Sequence, residues 1–126
     1  MALGKIKADT LEHSTAGSLD TSYVVNGSAK AWVNLNGTGT IAERDSLNVS
    51  GLVDNGTGIY TANLVNSFGA ADFAVSGTSA NGSSFTFCTA PRGTVSASNI
   101  SAFTSGSSFA LADVSTVSLL GYGDLA

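Results

Sequence analysis

The sequence predicts an all-β fold, a single small antiparallel β-sandwich or jelly-roll-like domain with an extended N-terminal arm. Three observations support this prediction. Asn-Gly dipeptides, which tolerate the positive φ of tight hairpin turns, begin at Asn26, Asn36, Asn55 and Asn81. The runs beside them are rich in β-branched and aromatic residues and alternate apolar with polar side chains. Turn signals recur roughly every 10 residues, a spacing typical of a sandwich or barrel.

The chain divides near residue 20 by its distribution of charge. Residues 1–20 form the predicted arm and residues 21–126 the predicted β domain. The arm has the densest charge in the chain, carried by Lys5, Lys7, Asp9, Glu12, His13 and Asp20. Because terminal segments are ordered only where something holds them, we expect a neighbouring molecule to hold this arm.

The predicted strands are short and bounded by Gly, Ser, Asn or Asp. Ala29–Asn36 places Ala31, Val33 and Leu35 on one face and Lys30, Trp32 and Asn34 on the other, and alternation alone leaves open which face is buried. A turn is predicted at Arg44–Ser46. The other predicted strands are Ser46–Val53, Ile59–Leu64, Ala71–Ser76, Ser84–Thr89, Ser107–Asp113 and Val114–Leu120. The last of these also fits a helical face, but its β-branched residues favour a strand.

The composition argues against several classes of partner. Charged residues make up 11% of the chain and the net charge is −4, whereas binding to nucleic acid needs clustered Lys and Arg. No apolar run approaches the roughly 20 residues of a membrane-spanning helix, so we expect no membrane insertion. The first residues lack the apolar run of a signal peptide. Cys88 is the only cysteine and is interpreted as a buried, inert thiol.

No constellation of residues predicts catalysis, a cofactor or a metal. His13, the only histidine, lies in the charged arm, and zinc sites need clustered Cys and His. A hydrolytic alternative would require the carboxylates of Glu43, Asp45 and Asp54 to meet in one groove. Trp32 is interpreted as a core or interface residue, with stacking against a ligand as the alternative. The repeated Asn-Gly-Thr-Gly segments lead into further β sequence, so they are interpreted as turns rather than phosphate-binding loops.

Two stretches of the chain resemble a known kind of module. They are Ala29-Lys30-Ala31-Trp32-Val33-Asn34-Leu35-Asn36-Gly37-Thr38-Gly39-Thr40 and Arg44-Asp45-Ser46-Leu47-Asn48-Val49-Ser50, the latter continued by Asp54-Asn55-Gly56-Thr57-Gly58-Ile59-Tyr60-Thr61. Together with the opening Gly4–Leu11, they resemble a module of small exterior virion proteins and tail-fibre-like proteins of tailed bacteriophages. The resemblance covers residues 4–64, about half of the chain.

The resemblance implies a non-enzymatic structural protein, β-rich and homotrimeric, on the virion surface and made in the cytoplasm of a bacterial host. In one reading it is a fibre or knob that contacts host surface polysaccharide. In the alternative reading it is a capsid decoration (cement) protein that stabilises the head. Other virion proteins, of capsid or tail, are the implied partners.

The implied virion-docking residues lie in the arm and are Lys5, Lys7, Asp9 and Glu12. The loops expected to face outward, toward a host, contain Asn66, Phe68, Asn81, Ser83, Ser105 and Ser107. Short polar side chains with an occasional aromatic suit weak contacts with polysaccharide, which multivalency strengthens.

Overall fold

The structure is a computed structural model that describes residue 4 and residues 7–82, 86–89 and 96–126, with the backbone alone at residues 87 and 89. Two residues of the predicted sites, Lys5 in the arm and Ser83 in an outward loop, lie outside the described residues. The described part is mainly β, with one short helix.

The elements follow one another in this order: β1 (Thr10–His13), β2 (Gly17–Asp20), α1 (Thr21–Gly27), β3 (Ala31–Asn36), β4 (Ala42–Leu47), β5 (Val49–Asp54), β6 (Ile59–Leu64), β7 (Ala74–Ala80), β8 (Phe87–Thr89), β9 (Asn99–Ser105) and β10 (Thr116–Tyr122). The predicted extended arm is instead folded, since β1 and β2 form a hairpin with α1 directly after it. The sequence prediction missed this helix because seven residues are too few to establish a helical period.

The remaining strands form two four-stranded sheets, called sheet I and sheet II here. Sheet I has the order β4-β3-β10-β7 and sheet II the order β5-β6-β9-β8. All of their pairings are antiparallel. The inner faces of both sheets contribute to one shared apolar core. The predicted antiparallel all-β domain is therefore confirmed.

Strict alternation along the central strands builds this core. Ala31, Val33 and Leu35 of β3 are buried, which settles the face that the sequence left open. In β6, Tyr60 and Ala62 are fully buried. Burying such apolar faces is the main stabilising contribution of a small two-layer domain.

Asn48 separates two strands where the sequence predicted one. It has a positive φ of 59° between β4 of sheet I and β5 of sheet II. Its side-chain Oδ1 accepts a hydrogen bond from the backbone N–H of Asn66 at 2.7 Å. The predictions of one continuous strand over Ser46–Val53 and of a turn at Arg44–Ser46 are therefore wrong. An Asn that bonds the backbone locally stabilises a corner that hydrophobic alternation does not reveal.

The four Asn-Gly dipeptides occupy different kinds of position in the structure. Asn55–Gly56 connects β5 to β6 and Asn36–Gly37 begins the connection from β3 to β4, so both join neighbouring strands as expected. Asn81–Gly82 follows β7 but leads to β8 in the other sheet. Asn26–Gly27 ends α1, so the hairpin predicted there is wrong. Asn and Gly also suit the ends of helices, which makes the dipeptide ambiguous.

The C-terminal half contains one missed strand and one misplaced strand. β9 was not predicted, although Ile100, Ala102 and Thr104 alternate inward along it. The strand predicted at Ser107–Asp113 is instead a loop that contains a tight turn, in which the Phe109 N–H donates to the Gly106 carbonyl at 3.0 Å. Strand β7 lies a few residues after its predicted position, and Val114–Leu120 is confirmed as β rather than helix.

Strand register gives the two-sheet domain two distinct ends. The end that follows the N-terminal segment, called the proximal end, carries the Asn48 corner, residues 65–73 and the last residues after β10. The opposite, distal end carries the connections 37–41, 55–58, 81–82 and 106–115. These positions decide which predicted surface residues can act together.

Candidate interaction surfaces

Residues 7–27 form a separate small unit, called the N-terminal module here. Leu11 of β1 lies directly opposite Leu19 of β2, so both side chains share one face of the hairpin. Thr21, the first residue of α1, ties the helix to the strand that precedes it: its backbone N–H donates to the Asp9 carbonyl at 2.9 Å, and its hydroxyl to the Ala8 carbonyl at 2.8 Å. The helix thus belongs with the hairpin, beyond the boundary predicted at residue 20.

The module exposes large apolar side chains. All of residues 7–20 and 22–27 are exposed, and Thr21 is half-buried. The apolar members are Leu11, Leu19, Tyr23, Val24 and Val25. A groove of about 410 Å³ lies between β1 and α1 and is lined in part by Leu11, Val24 and Val25. The module therefore offers an apolar contact surface that its own chain leaves uncovered.

Local hydrogen bonds shape the module. The Asp20 carboxylate accepts from the backbone N–H of Ser22 at 2.9 Å and caps the start of α1. The Ser22 backbone hydrogen bond, with a smaller contribution from the Ser22 side chain, lowers the pKa of Asp20. In the hairpin turn, the Nδ1 atom of His13 accepts from the backbone N–H groups of Thr15 and Ala16 at 3.3 and 3.1 Å. His13, the last residue of β1, therefore stabilises the hairpin turn with its side chain.

Lys30 joins the module to the two-sheet domain. Its ammonium donates to the carbonyl of Val25, and also to the carbonyl and hydroxyl oxygens of Ser28 at 2.9 and 3.0 Å. Its backbone N–H donates to the Gly121 carbonyl at 2.9 Å. A cation at the carbonyl end of a helix is electrostatically favourable, so Lys30 fixes the junction.

The outer face of sheet I is divided into a polar part and an apolar part. Toward the distal end, Asn34 Nδ2 donates to the Ser118 hydroxyl at 2.7 Å, and the Arg44 guanidinium donates to Asn34, Thr116 and two backbone carbonyls. Toward the proximal end, a row of cross-strand neighbours is apolar: Leu47, Trp32 and Leu120, with Tyr122 beside them. Leu47 is 49% exposed, and the other three side chains are half-buried.

A buried polar group joins the sheets at the distal end. The Tyr60 hydroxyl of sheet II lies 3.1 Å from Asp113 Oδ1 and 3.2 Å from the Gly37 carbonyl. The same Oδ1 accepts from the Gly58 backbone N–H at 2.7 Å. Burial raises the pKa of Tyr60, and the adjacent Asp113 adds to the rise. The buried Tyr60 hydroxyl is occupied by internal hydrogen bonds, so its role is to close the distal end.

The predicted docking residues of the arm are only partly assembled into one surface. Lys7 and Asp9 line the apolar groove of the module, whereas Glu12 lies in β1 and lines a second depression near the hairpin turn. All three are exposed.

Phe68 is not in an outward-facing loop; it is a core residue. It is 2% exposed and stacks on Phe73, with ring centroids 4.2 Å apart. Because Gly121 and Gly123 have no side chains, the Phe68 ring fits closely against them. The prediction failed because neighbouring polar residues suggested a solvated loop, whereas glycines distant in sequence form the pocket for this ring.

The other predicted loop residues lie at opposite ends. Asn66 is exposed at the proximal end, while Asn81 and Ser107 are exposed at the distal end. Ser105 is half-buried as the last residue of β9, so its placement in an outward loop is wrong. Asn66 and the distal residues therefore do not form one outward surface.

The three carboxylates that a hydrolytic site would require, those of Glu43, Asp45 and Asp54, each accept a local hydrogen bond. Glu43 accepts from the Ser46 hydroxyl at 2.8 Å, Asp45 from the Ser46 backbone N–H at 2.9 Å, and Asp54 from the Gly56 backbone N–H at 2.9 Å.

Among the described residues, no three His, Cys, Asp or Glu side chains are grouped so that they could hold a metal. In the same part of the chain, no helix has the length and apolarity needed to span a membrane.

The apolar surface residues of the module and of sheet I were not predicted from the sequence. A sequence signal did exist for the hairpin, since Leu11 and Leu19 lie at equal distances from a central turn. The row of Leu47, Trp32 and Leu120 carried no such signal, because its members come together only through strand pairing.

Comparison with known proteins gave no matching family model, no matching curated protein and no matching solved structure.

Proposed function

We propose that this chain is a non-enzymatic structural protein of the exterior of a tailed-bacteriophage virion, assembled as a homotrimer. Its best-supported role is that of a fibre or knob that contacts the host surface. The observation that carries the proposal is the N-terminal module, which lies outside the well-packed two-sheet domain. The module exposes five apolar side chains, those of Leu11, Leu19, Tyr23, Val24 and Val25. A compact domain with a small apolar attachment unit is suited to assembly rather than to catalysis.

The arrangement of the two ends supports this role. The module leaves the domain at the proximal end, so attachment is assigned there. The distal connections present short polar residues such as Asn81 and Ser107, together with Phe109, which is 76% exposed. Polar side chains beside an aromatic ring are suited to weak sugar contacts, which repetition on a particle would strengthen.

A capsid decoration protein is the second candidate. It is favoured by the lack of any long shaft in the described part of the chain, where a compact two-sheet domain directly follows the module. In that role the N-terminal module would lie along the capsid shell, and the two-sheet domain would form a cap on the shell. The two candidates differ in copy number and in location on the particle.

Quantitative mass spectrometry of purified virions, with the major capsid protein as internal standard, tests the proposal. A copy number far below that of the capsid protein supports a fibre or knob at tail or vertex positions. A copy number comparable with that of the capsid protein supports decoration of the head. If the chain is missing from purified particles, the virion assignment is wrong.

Host contact has a separate test. The purified protein is added to host cells before infection, and adsorption of the phage is measured. We expect the intact protein to compete with adsorption and a variant with Asn81→Asp, Ser107→Asp and Phe109→Ser to compete less. Ala70→Asp, at an exposed position of the proximal end, is the matched control and should compete as the wild type does. Equal competition by all variants would exclude the distal end as the contact surface.

A further inference from the structure

We propose that Asn81 is a site of spontaneous deamidation, at which the side-chain amide is converted into a carboxylate without the action of another protein. The chain contains four Asn-Gly dipeptides. The fold protects three of them and leaves the one formed by Asn81 and Gly82 able to react. The proposal does not depend on the virion assignment, because it concerns a reaction within the chain itself.

The reaction joins the main chain to the side chain of the preceding residue. The backbone nitrogen of Gly82 loses its proton to solvent and attacks Cγ of Asn81, so that a C–N bond forms and a succinimide ring closes. The former amide nitrogen of Asn81 takes up a proton and leaves as ammonia. Water then opens the ring at either of its two carbonyl groups, and the products are aspartate and isoaspartate.

The folded chain controls this reaction in three ways. The asparagine side chain must be accessible to water, the glycine nitrogen must be able to lose its proton, and the two groups must be able to approach each other. Glycine assists the approach because it has no side chain and a wide range of backbone angles. A hydrogen bond that holds the glycine N–H or the asparagine amide therefore slows the reaction.

The fold holds both reacting groups at Asn36. Gly37 is buried, and its N–H donates to the Val114 carbonyl at 3.0 Å. The Asn36 side chain accepts from the Thr38 hydroxyl at 2.8 Å and donates to the Thr38 carbonyl at 3.1 Å. Reaction at this site requires both sets of hydrogen bonds to break.

Asn55 is exposed, but its reacting groups are held as well. The Gly56 N–H donates to the Asp54 carboxylate at 2.9 Å, and Asn55 Nδ2 donates to the Thr61 hydroxyl at 3.0 Å. The carboxylate also opposes loss of the Gly56 proton, because a negative charge nearby disfavours a second one on the nitrogen. Asn55 is therefore protected although water reaches it.

Asn26 is protected by helix α1. Gly27 is the last residue of that helix, and beyond the first turn each helical N–H donates to the carbonyl four residues earlier. The Gly27 nitrogen is thus engaged as long as the helix persists. Because short helices are marginal in water, we expect this protection to be weaker than that at Asn36.

Asn81 and Gly82 lack such protection. Both are exposed at the distal end, directly after β7. Within the described part of the chain, neither the Asn81 side-chain amide nor the Gly82 N–H takes part in a hydrogen bond. Gly82 has a positive φ of 58°, and a Cβ placed on it would meet no atom within 4 Å. Space for ring closure is therefore available.

Deamidation at Asn81 changes the surface of the distal end. It replaces a neutral amide by a negative charge, in a chain whose net charge is −4. Isoaspartate also adds one methylene group to the main chain after β7. The modified form is therefore a distinct, more acidic species that can be separated from the unmodified protein.

The experiment incubates the folded full chain at about pH 8 and follows each Asn-Gly dipeptide by mass-spectrometric peptide mapping, with digestion at mildly acidic pH so that no further deamidation occurs. We expect deamidation at Asn81 to be at least about tenfold faster than at Asn36 or Asn55, since hydrogen bonds at those two sites must break first. The rate at Asn26 should lie between these extremes.

The same incubation in denaturant is the control for the effect of the fold. The residue after the glycine is Ser or Thr in all four dipeptides, so the local sequences are closely matched. Once the structure is lost, we expect the four sites to react at similar rates. A preference for Asn81 that persists in denaturant would show that the fold does not select this site.

Asp54→Ala tests the protection itself. It removes the acceptor of the glycine N–H next to Asn55, and we expect the rate at Asn55 to rise at least about threefold while the rate at Asn81 stays the same. Asp45→Ala is the matched control, because it removes the same charge from a carboxylate that accepts from Ser46 instead. Circular dichroism and thermal unfolding establish that both variants keep the two-sheet domain.

Several results would overturn the proposal. One is deamidation at Asn36 or Asn55 as fast as at Asn81 in the folded protein, and another is an Asn81 that stays intact while the denatured chain reacts. An unchanged rate at Asn55 in Asp54→Ala would refute the argument that hydrogen bonds to the glycine N–H decide the order. Asn81→Ser should abolish the main acidic species in ion-exchange chromatography, and its persistence would assign the reaction to another residue.

Discussion

The hydroxyl of Tyr60 lies 3.1 Å from Oδ1 of Asp113, and this contact links β6 of sheet II to the segment that enters β10 of sheet I. The Gly37 carbonyl, 3.2 Å from the same hydroxyl, adds the connection between β3 and β4. Tyr60 is fully buried, so its hydroxyl cannot exchange these partners for water. This hydroxyl therefore contributes to a set of polar contacts that hold the distal end between elements distant in sequence, among them the Gly37 N–H on the Val114 carbonyl and the Gly58 N–H on Asp113.

Removing that hydroxyl should destabilise the domain. Tyr60→Phe keeps the ring in the core but removes the hydroxyl that lies between the Gly37 carbonyl and Asp113 Oδ1, while Asp113 keeps its hydrogen bond from the Gly58 N–H. We expect a loss of about 1–2 kcal/mol in the free energy of unfolding, measured by chemical denaturation. Tyr23→Phe, at a 69% exposed position, is the control and should change stability little. An unfolding free energy of Tyr60→Phe equal to that of the wild type would show that the contact contributes nothing.

Stability should fall in alkaline solution for the same reason. Burial, assisted by Asp113, raises the pKa of Tyr60 above its ordinary value of 10.0. The folded state therefore holds this proton more tightly than the unfolded state does, so the contribution is complete below about pH 10 and is lost as pH rises through the folded-state pKa. Unfolding measured from neutral to alkaline pH should show this loss in the wild type. Tyr60→Phe should lack this part of the loss of stability at alkaline pH. Identical pH profiles for the variant and the wild type would show that the loss does not come from Tyr60.

Substitution by alanine should destabilise the domain far more at Gly58 than at Gly39. Both have a positive φ, 67° and 66°, so alanine meets a similar backbone penalty of about 1–2 kcal/mol at each. Beyond that, a Cβ at Gly58 would overlap the Thr104 carbonyl and the Ala112 backbone, while a Cβ at Gly39 meets no atom within 4 Å. We expect Gly58→Ala to lower the free energy of unfolding by at least about 2 kcal/mol more than Gly39→Ala. Equal losses in chemical denaturation would contradict this packing.

Arg44 should stabilise sheet I in a way that salt does not screen. Its guanidinium donates to Asn34, Thr116 and the carbonyls of Leu35 and Ser115, which are all neutral acceptors. Lysine lacks this fork of donors, so we expect Arg44→Lys to cost about 1 kcal/mol.

The cost of Arg44→Lys should be the same at low salt and at about 1 M salt, because screening acts mainly on pairs of exposed charges. Denaturation at the two salt concentrations measures this. A cost that disappears at high salt would indicate that ion pairs hold Arg44 instead.

Cys88 should react slowly with thiol reagents. Burial raises the pKa of its thiol, and its Sγ faces the interior beside Gly77 and Leu119. Since the thiolate is the reactive form, we expect modification by a disulfide reagent at pH 8 to be slow in the folded protein and much faster in denaturant. Rapid modification without denaturant would show that the edge near β8 opens readily.

The sequence established the β class and much of the strand pattern. The alternation in β3 is a local property with a period of two, and it correctly placed Ala31, Val33 and Leu35 on one face. Asn55–Gly56 was assigned correctly because the positive φ of a tight turn is a local demand. Such features depend on neighbouring residues only and can therefore be read from the chain.

Other features depended on contacts between distant residues. The corner at Asn48 requires Asn66, and the burial of Phe68 requires Gly121 and Gly123. The row of Leu47, Trp32 and Leu120 exists because Trp32 lies beside Leu47 of the next strand on one side and beside Leu120 of the last strand on the other. Local patterns therefore determined which residues form strands. Only the tertiary structure determined which face lies inside, where the sheets turn and which side chains share a surface, because strand pairing brings residues together irrespective of their separation in sequence.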